Sequence, residues 1–407
     1  MDKHIIIVGS GVTGVFAATK LIEKGYPGHL ITIIDKGKDA FNRKPNEIMN
    51  GFLGAGLFSD GKIAYLHNQI GGQLSKYCGK EKADDLVEEV VNTIKKLHPD
   101  PDKIMYSNPI EEPEFIKKYF KMRLAPVYHI GTEYLHEIGK NWYSWLRAKG
   151  VNFYFNTKVD NINFKTQCIS LSKSVIYYDI LIYATGKDGI DLTQKLIKKN
   201  KLKTESKPVQ IGVRFEAPQK YFQKILDLAY DFKLYQEFEK EKINIRTFCV
   251  NSNAAYVVEE KTYGMKSYNG HSYKDKDKIN NMVNFGIIME IEGIKNPFSW
   301  AKKIVKKCQK DNKDISNLGK YSKFINNFID DLNKIFQFGS NYKIYVPEVK
   351  FLTDEVLVNN NNLSLINYPN VHFGGDSLSA RGIAVSAAQG LYIGEKIIEN
   401  ETKRNKS

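Results

Sequence analysis

HIIIVGSGVTGVFAATKLIEKG, residues 4–25, followed by ITIID at 31–35, reads as a strand, a glycine turn, a helix and a second strand that ends in an acid. Ile5, Ile6, Ile7 and Val8 form a short apolar run suited to a buried parallel strand. Gly9, Gly11 and Gly14 fit G-x-G-x-x-G. In that pattern the first glycine makes the tight turn, the second lets a pyrophosphate approach the backbone, and the third lets helix and strand pack closely. The phosphates are expected on free N–H groups at the helix N-terminus, where Val12 and Thr13 lie and the helix dipole favours anions. Asp35 closes the second strand and is placed to accept from ribose hydroxyls, with Lys36 directly after it. The glycines alone are a weak signal. With both strands, the helix and the acid in register they indicate a bound dinucleotide and an α/β fold with a Rossmann-type parallel sheet.

The rest of the composition narrows the class. A chain of 407 residues, 42% hydrophobic, is long enough for one large or two medium domains. No apolar run approaches the roughly 18 residues of a membrane span. The only apolar run at the N-terminus feeds straight into the glycine turn, which is not the pattern of a secretory signal, so a cytoplasmic location is expected. Cys78, Cys168, Cys249 and Cys308 lie far apart with no C-x-x-C, so no zinc site, dithiol pair or other metal is expected. The charge of +14 has two readings: a polyanionic partner, or a lysine- and asparagine-rich composition with acids scattered among the bases.

Further along, a glycine-rich loop occupies 50–63 (NGFLGAGLFSDGKI), and helical spacing is expected over about 80–97 and 131–149. VNFYFNTKVDNI reads as a strand and turn, and VIYYDILIYATG at 175–186 as one buried strand running into a glycine turn. IGVRFEA, RTFCVN, AAYVVEE and NFGIIMEI are strand-like. Stretches at 220–241 and 299–337 read as helical, and βα character returns at 371–398. The tail from 401 is expected to fray.

Three separated pieces then point to one cofactor: the N-terminal turn, Ala184-Thr185-Gly186 at the end of an apolar strand, and Gly374-Gly375-Asp376 before a helix starting near Ala380. Together they resemble the FAD-binding signature of the glutathione-reductase-type flavoproteins. That resemblance implies that the A-T-G segment turns under FAD and that Asp376 hydrogen-bonds a ribityl hydroxyl. It also implies that the turn Arg381-Gly382-Ile383 opens a helix aimed at the flavin pyrimidine edge, where a helix N-terminus stabilises the charge of reduced flavin. More finely, the blocks GAGLFSDGK, IGVRFE, TFC, NGHS and GGDSLSARG resemble, in this order, those of the predicted FAD-dependent dehydrogenases. The chain departs from that family at Phe52-Leu53 and Asn251–Asn253, where further glycines are common. The resemblance implies cofactor and class, not substrate.

On this reading residues 1–204 and 341–407 form a discontinuous FAD-binding domain, and 205–340 an inserted mixed β/α substrate domain. Gly54, Ala55, Gly56 and Ser59 are expected to let backbone lie close to flavin and pyrophosphate, with Asp60 and Lys62 addressing polar cofactor atoms. Arg214 shares a strand face with Gly212 and Glu216. It either faces the flavin or a substrate anion, or pairs with Glu216. His271 is the candidate proton carrier, with Tyr273 near it. Cys249 reads as a buried inert thiol. The expected activity is hydride transfer between a small organic substrate and flavin N5, with NAD(P)H or another carrier as electron partner. The alternatives are a flavoenzyme acting on a modified nucleic-acid base, motivated by the charge, and a non-catalytic flavin protein.

Overall fold

The computed structural model describes residues 2–44, 47–64, 74–109, 111–262, 265–273, 276–309, 311, 314–351, 354–380 and 382–404. The chain divides into two units. The first holds residues 1–105, 128–205 and 355–407; the second holds 106–127 and 206–354.

The first unit is built on a six-stranded sheet. Its order is Ser364–Leu365, Tyr368–Phe373, Ile180–Tyr183, Ile5–Val8, Ile31–Ile34 and Asn152–Tyr154. All neighbours are parallel except the short edge strand Ser364–Leu365. Ile5 faces Ile180 on one side and Ile31 on the other. Every residue of these three central strands is buried, as a sheet covered on both faces requires. The helix Val12–Glu23 packs on the helix Gly382–Arg404. Their backbones meet at Gly390, where a Cβ would stand 2.2 Å from the Thr13 carbonyl oxygen. At Gly9, with φ of +103, a Cβ would lie 2.2 Å from the Ala184 carbonyl oxygen, so only glycine permits the turn.

The second unit is an antiparallel sheet in the order Lys343–Phe351, Val209–Pro218, Met282–Ile291, Ile243–Asn251, Lys233–Phe238 and Lys121–Arg123. Val213, Phe215, Phe285, Ile287 and Phe328 belong to its apolar core, with residues of the helices Pro297–Cys308 and Ser322–Phe336. The opposite face is polar and carries the hairpin Ala254–Thr262 with Met265–Tyr273.

Several elements differ from the sequence reading. The segment 341–354 lies in the second unit, because strand Lys343–Phe351 pairs with Val209–Pro218. Residues 106–127 join it as well, because Lys121–Arg123 pairs with the strand at 233. The stretch 175–186 is two strands. Val175–Tyr177 lies on a separate three-stranded sheet with Val175 and Tyr177 exposed, and only Ile180–Tyr183 is buried. Residues 220–241 hold the short α-helix Gln223–Leu226, flanking 3-10 turns and the strand Lys233–Phe238, whose alternation seats Leu234 in the core. The last helix begins at Gly382 and runs to Arg404, tied down by Glu401 pairing with Lys3 at 2.8 Å. Among the described residues no helix is long and apolar enough to cross a membrane.

His372, 2% exposed on the strand beside Ile180–Tyr183, donates through Nδ1 to the Asn362 carbonyl at 2.9 Å. Burial pulls its imidazole down to about 4. The unfolded chain, with histidine near 6.5, binds the proton first as pH falls. Stability is therefore full above pH ~6.5 and is lost as pH drops toward ~4, by about 3 kcal/mol from this group. Urea unfolding measured across that window should show the slope. In His372→Asn, which keeps a donor for Asn362, the slope should flatten.

Candidate functional site

The three glycine segments converge at the carboxyl ends of the parallel strands, where α/β sheets bind ligands. Gly9 lies against Ala184, and Gly374 and Gly375 lie against the Thr13 side chain. Asp376, half-buried, stands 3.7 Å from the Cβ position of Gly186. The loop at 54–56 joins them: a Cβ on Gly54 would stand 3.4 Å from the Gly11 Cα, and Gly56 packs on Val12. Leu53 N donates to Ser10 O at 2.7 Å and pairs with Gly11 in a parallel bridge. Gly9, Gly11, Val12, Thr13, Gly14, Gly54, Gly56, Ala184, Thr185, Gly186, Gly375 and Asp376 are thus gathered in one unit from four places in the chain. Ala55 is exposed on this loop, and the Ser59 hydroxyl is spent within its own turn on the Gly56 carbonyl at 2.8 Å. Gly382 and Ile383 open the last helix, and Arg381 lies outside the described residues.

The helix Val12–Glu23 has Gly11 as its N-cap with no side-chain cap. Its first amides have no intrahelical partner. The nearest atom to a Cβ on Gly11, apart from its chain neighbours, is the Ala184 oxygen at 3.9 Å. Open space over uncapped amides is a cradle that fits a pyrophosphate.

Asp35 does something other than its expected role. One carboxylate oxygen accepts from Ser10 N and Ser10 Oγ, both at 2.8 Å, and the other from Gly37 N at 2.7 Å and Gly51 N at 2.8 Å. A carboxylate has about four acceptor sites, and all are filled within the protein. Asp35 therefore staples the glycine turn to the 51–56 loop instead of standing ready for a ribose. Lys36 pairs with Asp188 at 2.8 Å, and Asn50 Nδ2 donates to the same carboxylate at 2.9 Å. Asp188, two residues past the A-T-G segment, is the partly exposed acid at this edge of the site.

Two buried groups that support the site carry no local sequence signal. Arg43 donates to the carbonyls of Phe52 and Gly54 at 2.7 and 2.6 Å and to that of Ile48 at 3.1 Å, and lies over the Phe58 ring at 4.7 Å. Burial pulls its guanidinium down to about 10, still charged at neutral pH. Gln389 Oε1 accepts from Gly375 N at 2.8 Å and so fixes the turn before Asp376. At the far end of the loop, Asp60 pairs with Lys62 at 2.7 Å, both nearly buried. Burial works against this carboxylate, yet Lys62, with His129 beside it, holds it well below the usual carboxylate range.

The two candidate catalytic residues, Arg214 and His271, lie in the second unit, and the structure gives Arg214 a different role. Arg214 is fully buried. It donates to Asn284 Oδ1 from Nε at 2.9 Å and Nη2 at 2.6 Å, to the Cys249 carbonyl at 2.8 Å, and pairs with Glu348 at 3.3 Å. The partner is Glu348 on the adjacent strand, not Glu216, and Arg214 has no exposure to solvent. Gly270 closes over it, where a Cβ would stand 1.8 Å from Nη2. By strand alternation the neighbouring His271 points to the other side of its hairpin, half-buried, opposite Tyr256. Cys249 is likewise half-buried, at φ of +48 in a bulge, and not a sealed core thiol. Arg214→Met, which takes the guanidinium from buried Glu348 and Asn284 and leaves Glu348 paired with Lys350, should cost about 3 kcal/mol in urea unfolding. His271→Ala should cost under about 1 kcal/mol.

No family model matches the chain. It is 24% identical over 305 residues to an uncharacterized protein of Clostridium beijerinckii, an alignment covering 68% of this chain and 49% of that protein. The chain thus spans about half the length of the curated relative it matches. Among solved structures, it is similar to L-proline dehydrogenase from P. horikoshii (TM-score 0.45, 12% identity, 98% of this chain and 94% of that one). It is similar also to glycine oxidase from Bacillus cereus (TM-score 0.44, 13%, 98% and 96%). A third similar structure is CtdE in complex with FAD and a substrate (TM-score 0.44, 10%, 97% and 80%). At these scores the similarity bears on neither activity nor substrate.

Proposed function

We propose that the chain is an FAD-dependent oxidoreductase that transfers a hydride between a small organic substrate and the flavin. The observation that carries this reading is the meeting of Gly9–Gly14, Gly54–Gly56, Ala184–Gly186 and Gly374–Asp376 around one uncapped helix N-terminus. A dinucleotide site needs the first of these. The C-terminal segment, with a carboxylate and a second long helix, supports a cofactor that extends beyond the pyrophosphate to a flavin.

When bound, FAD supplies the two-electron chemistry that side chains lack. The amides of Val12, Thr13 and Gly14 would hold the pyrophosphate. Asp376 would accept from a ribityl hydroxyl, held by the Gly375–Gln389 bond. The helix Gly382–Arg404 would present its N-terminus to the charge of the reduced ring. Asp35 and Arg43 would act only through the loops they hold.

The purified protein is expected to be yellow and to release FAD, not FMN, on denaturation. Asp376→Ala should weaken FAD binding by about tenfold to a hundredfold, as loss of a hydrogen bond to a charged group does, read by flavin fluorescence on titration of the apoprotein. Anaerobic stopped-flow mixing with NADH, NADPH and candidate amines should reveal flavin reduction by at least one donor. FMN, or a colourless protein that takes up no FAD, would overturn the reading.

A further inference from the structure

The positive charge of the chain is not spread evenly. Residues 295–323 hold nine lysines and two aspartates, half of the net +14. The helix Pro297–Cys308 of the second unit carries the densest part and contains no acid. Its Ala301, Val305 and Cys308 belong to the apolar core. Lys302, Lys303, Lys306 and Lys307 fill the opposite side, all exposed, as two rows at i,i+4 spacing. Among the described residues none of the four has an ion pair or a hydrogen bond. Trp300 meets Tyr321 edge-on at 5.6 Å, so the chain around Lys320 and Lys323, both exposed, lies alongside.

Like charges at i,i+4 weaken a helix. A face that is merely solvated mixes both signs. The helix Lys80–Leu97 does so, with Glu81, Asp84, Asp85, Glu88 and Glu89 among its lysines. On Pro297–Cys308 the four charges span about 8 Å of helix axis, about one per 2 Å. Duplex DNA carries one phosphate charge per about 1.7 Å of its axis, with condensed counterions that bound lysines release. Other polyanions fit less well. The apolar stripe of this helix is spent on the core and is not free to enter a membrane interface. Trp300 and Tyr321 engage each other and are half-buried, a poor platform for stacking unpaired bases. The stretch 302–307 has no Arg, Asn or Gln to read base edges.

We propose that the lysine face of the helix Pro297–Cys308 is a docking surface for the phosphate backbone of duplex DNA, bound without regard to sequence. The proposal does not rest on the flavin reading.

Fluorescence anisotropy of a labelled 20-base-pair duplex of arbitrary sequence, titrated with the purified full chain, tests it. With four phosphates neutralised, the log–log slope of affinity on salt should be about −3.6, a loss of about a hundredfold between 50 and 200 mM. Lys302→Gln with Lys306→Gln, and separately Lys303→Gln with Lys307→Gln, should each bring the slope to about −1.8. The two pairs are independent, so a folding defect in one leaves the other as the test. Lys149→Gln with Lys165→Gln removes the same charge from exposed positions of the first unit and should leave the slope unchanged. A duplex of shuffled sequence should bind equally well. Several outcomes would overturn the proposal: no binding at 50 mM salt, a control pair as damaging as the helix pairs, or tighter binding of a single strand of the same length. Capture by vesicles containing phosphatidylglycerol, lost with these lysines while DNA is ignored, would also overturn it.

Discussion

The first unit depends on one carboxylate. Asp35 gathers Ser10, Gly37 and Gly51, so the glycine turn, the end of the second strand and the start of the 51–56 loop move as one piece. A carboxylate accepting from several backbone amides makes some of the stronger hydrogen bonds in a protein interior. With that staple set, Leu53 donates to Ser10 O and Gly54 comes against Gly11. Arg43 locks the same loop from behind through its carbonyls. The helix N-terminus is left uncapped within this frame, and pre-organisation of that kind is what a phosphate cradle needs.

The second unit solves a different problem. Its sheet has an apolar face covered by two helices and a polar face that holds Arg214 and Glu348 with no exposure to water. A buried pair gains little net stability, but breaking it is costly, because the survivor is left charged and dry. Gly270 gives the guanidinium its space, and Glu348 pairs also with Lys350 at 2.7 Å.

Much of the first unit was legible. The period and apolar content of 5–8 and 31–34, the glycine spacing and the helices near 80–97 and 135–148 are local properties, and the chain adopts them. What misled was context. VIYYDILIYATG is mostly apolar, yet Tyr178 and Asp179 interrupt it and leave Val175 and Tyr177 exposed on another sheet. KLYQEF has both a helical and a strand reading until its pairing with Ile243–Asn251 and Lys121–Arg123 decides it. Arg43 and Gln389 serve backbone groups many residues away, and no spacing rule records that.

The sequence by itself determined that a βαβ unit with a phosphate-accepting turn forms at residues 5–35, because strand burial, helix initiation and glycine sterics act over a few residues. It also marked Ala184–Gly186 and Gly374–Asp376 as turns of related kind. Only the tertiary structure decided which donors fill Asp35, that Arg214 belongs to the interior with Glu348, and that Lys233, Arg246 and Lys350 share one ring. The reason is physical. A carboxylate or guanidinium takes its role from whichever partners are nearest in space, and sheet order places strands from 121 to 351 side by side.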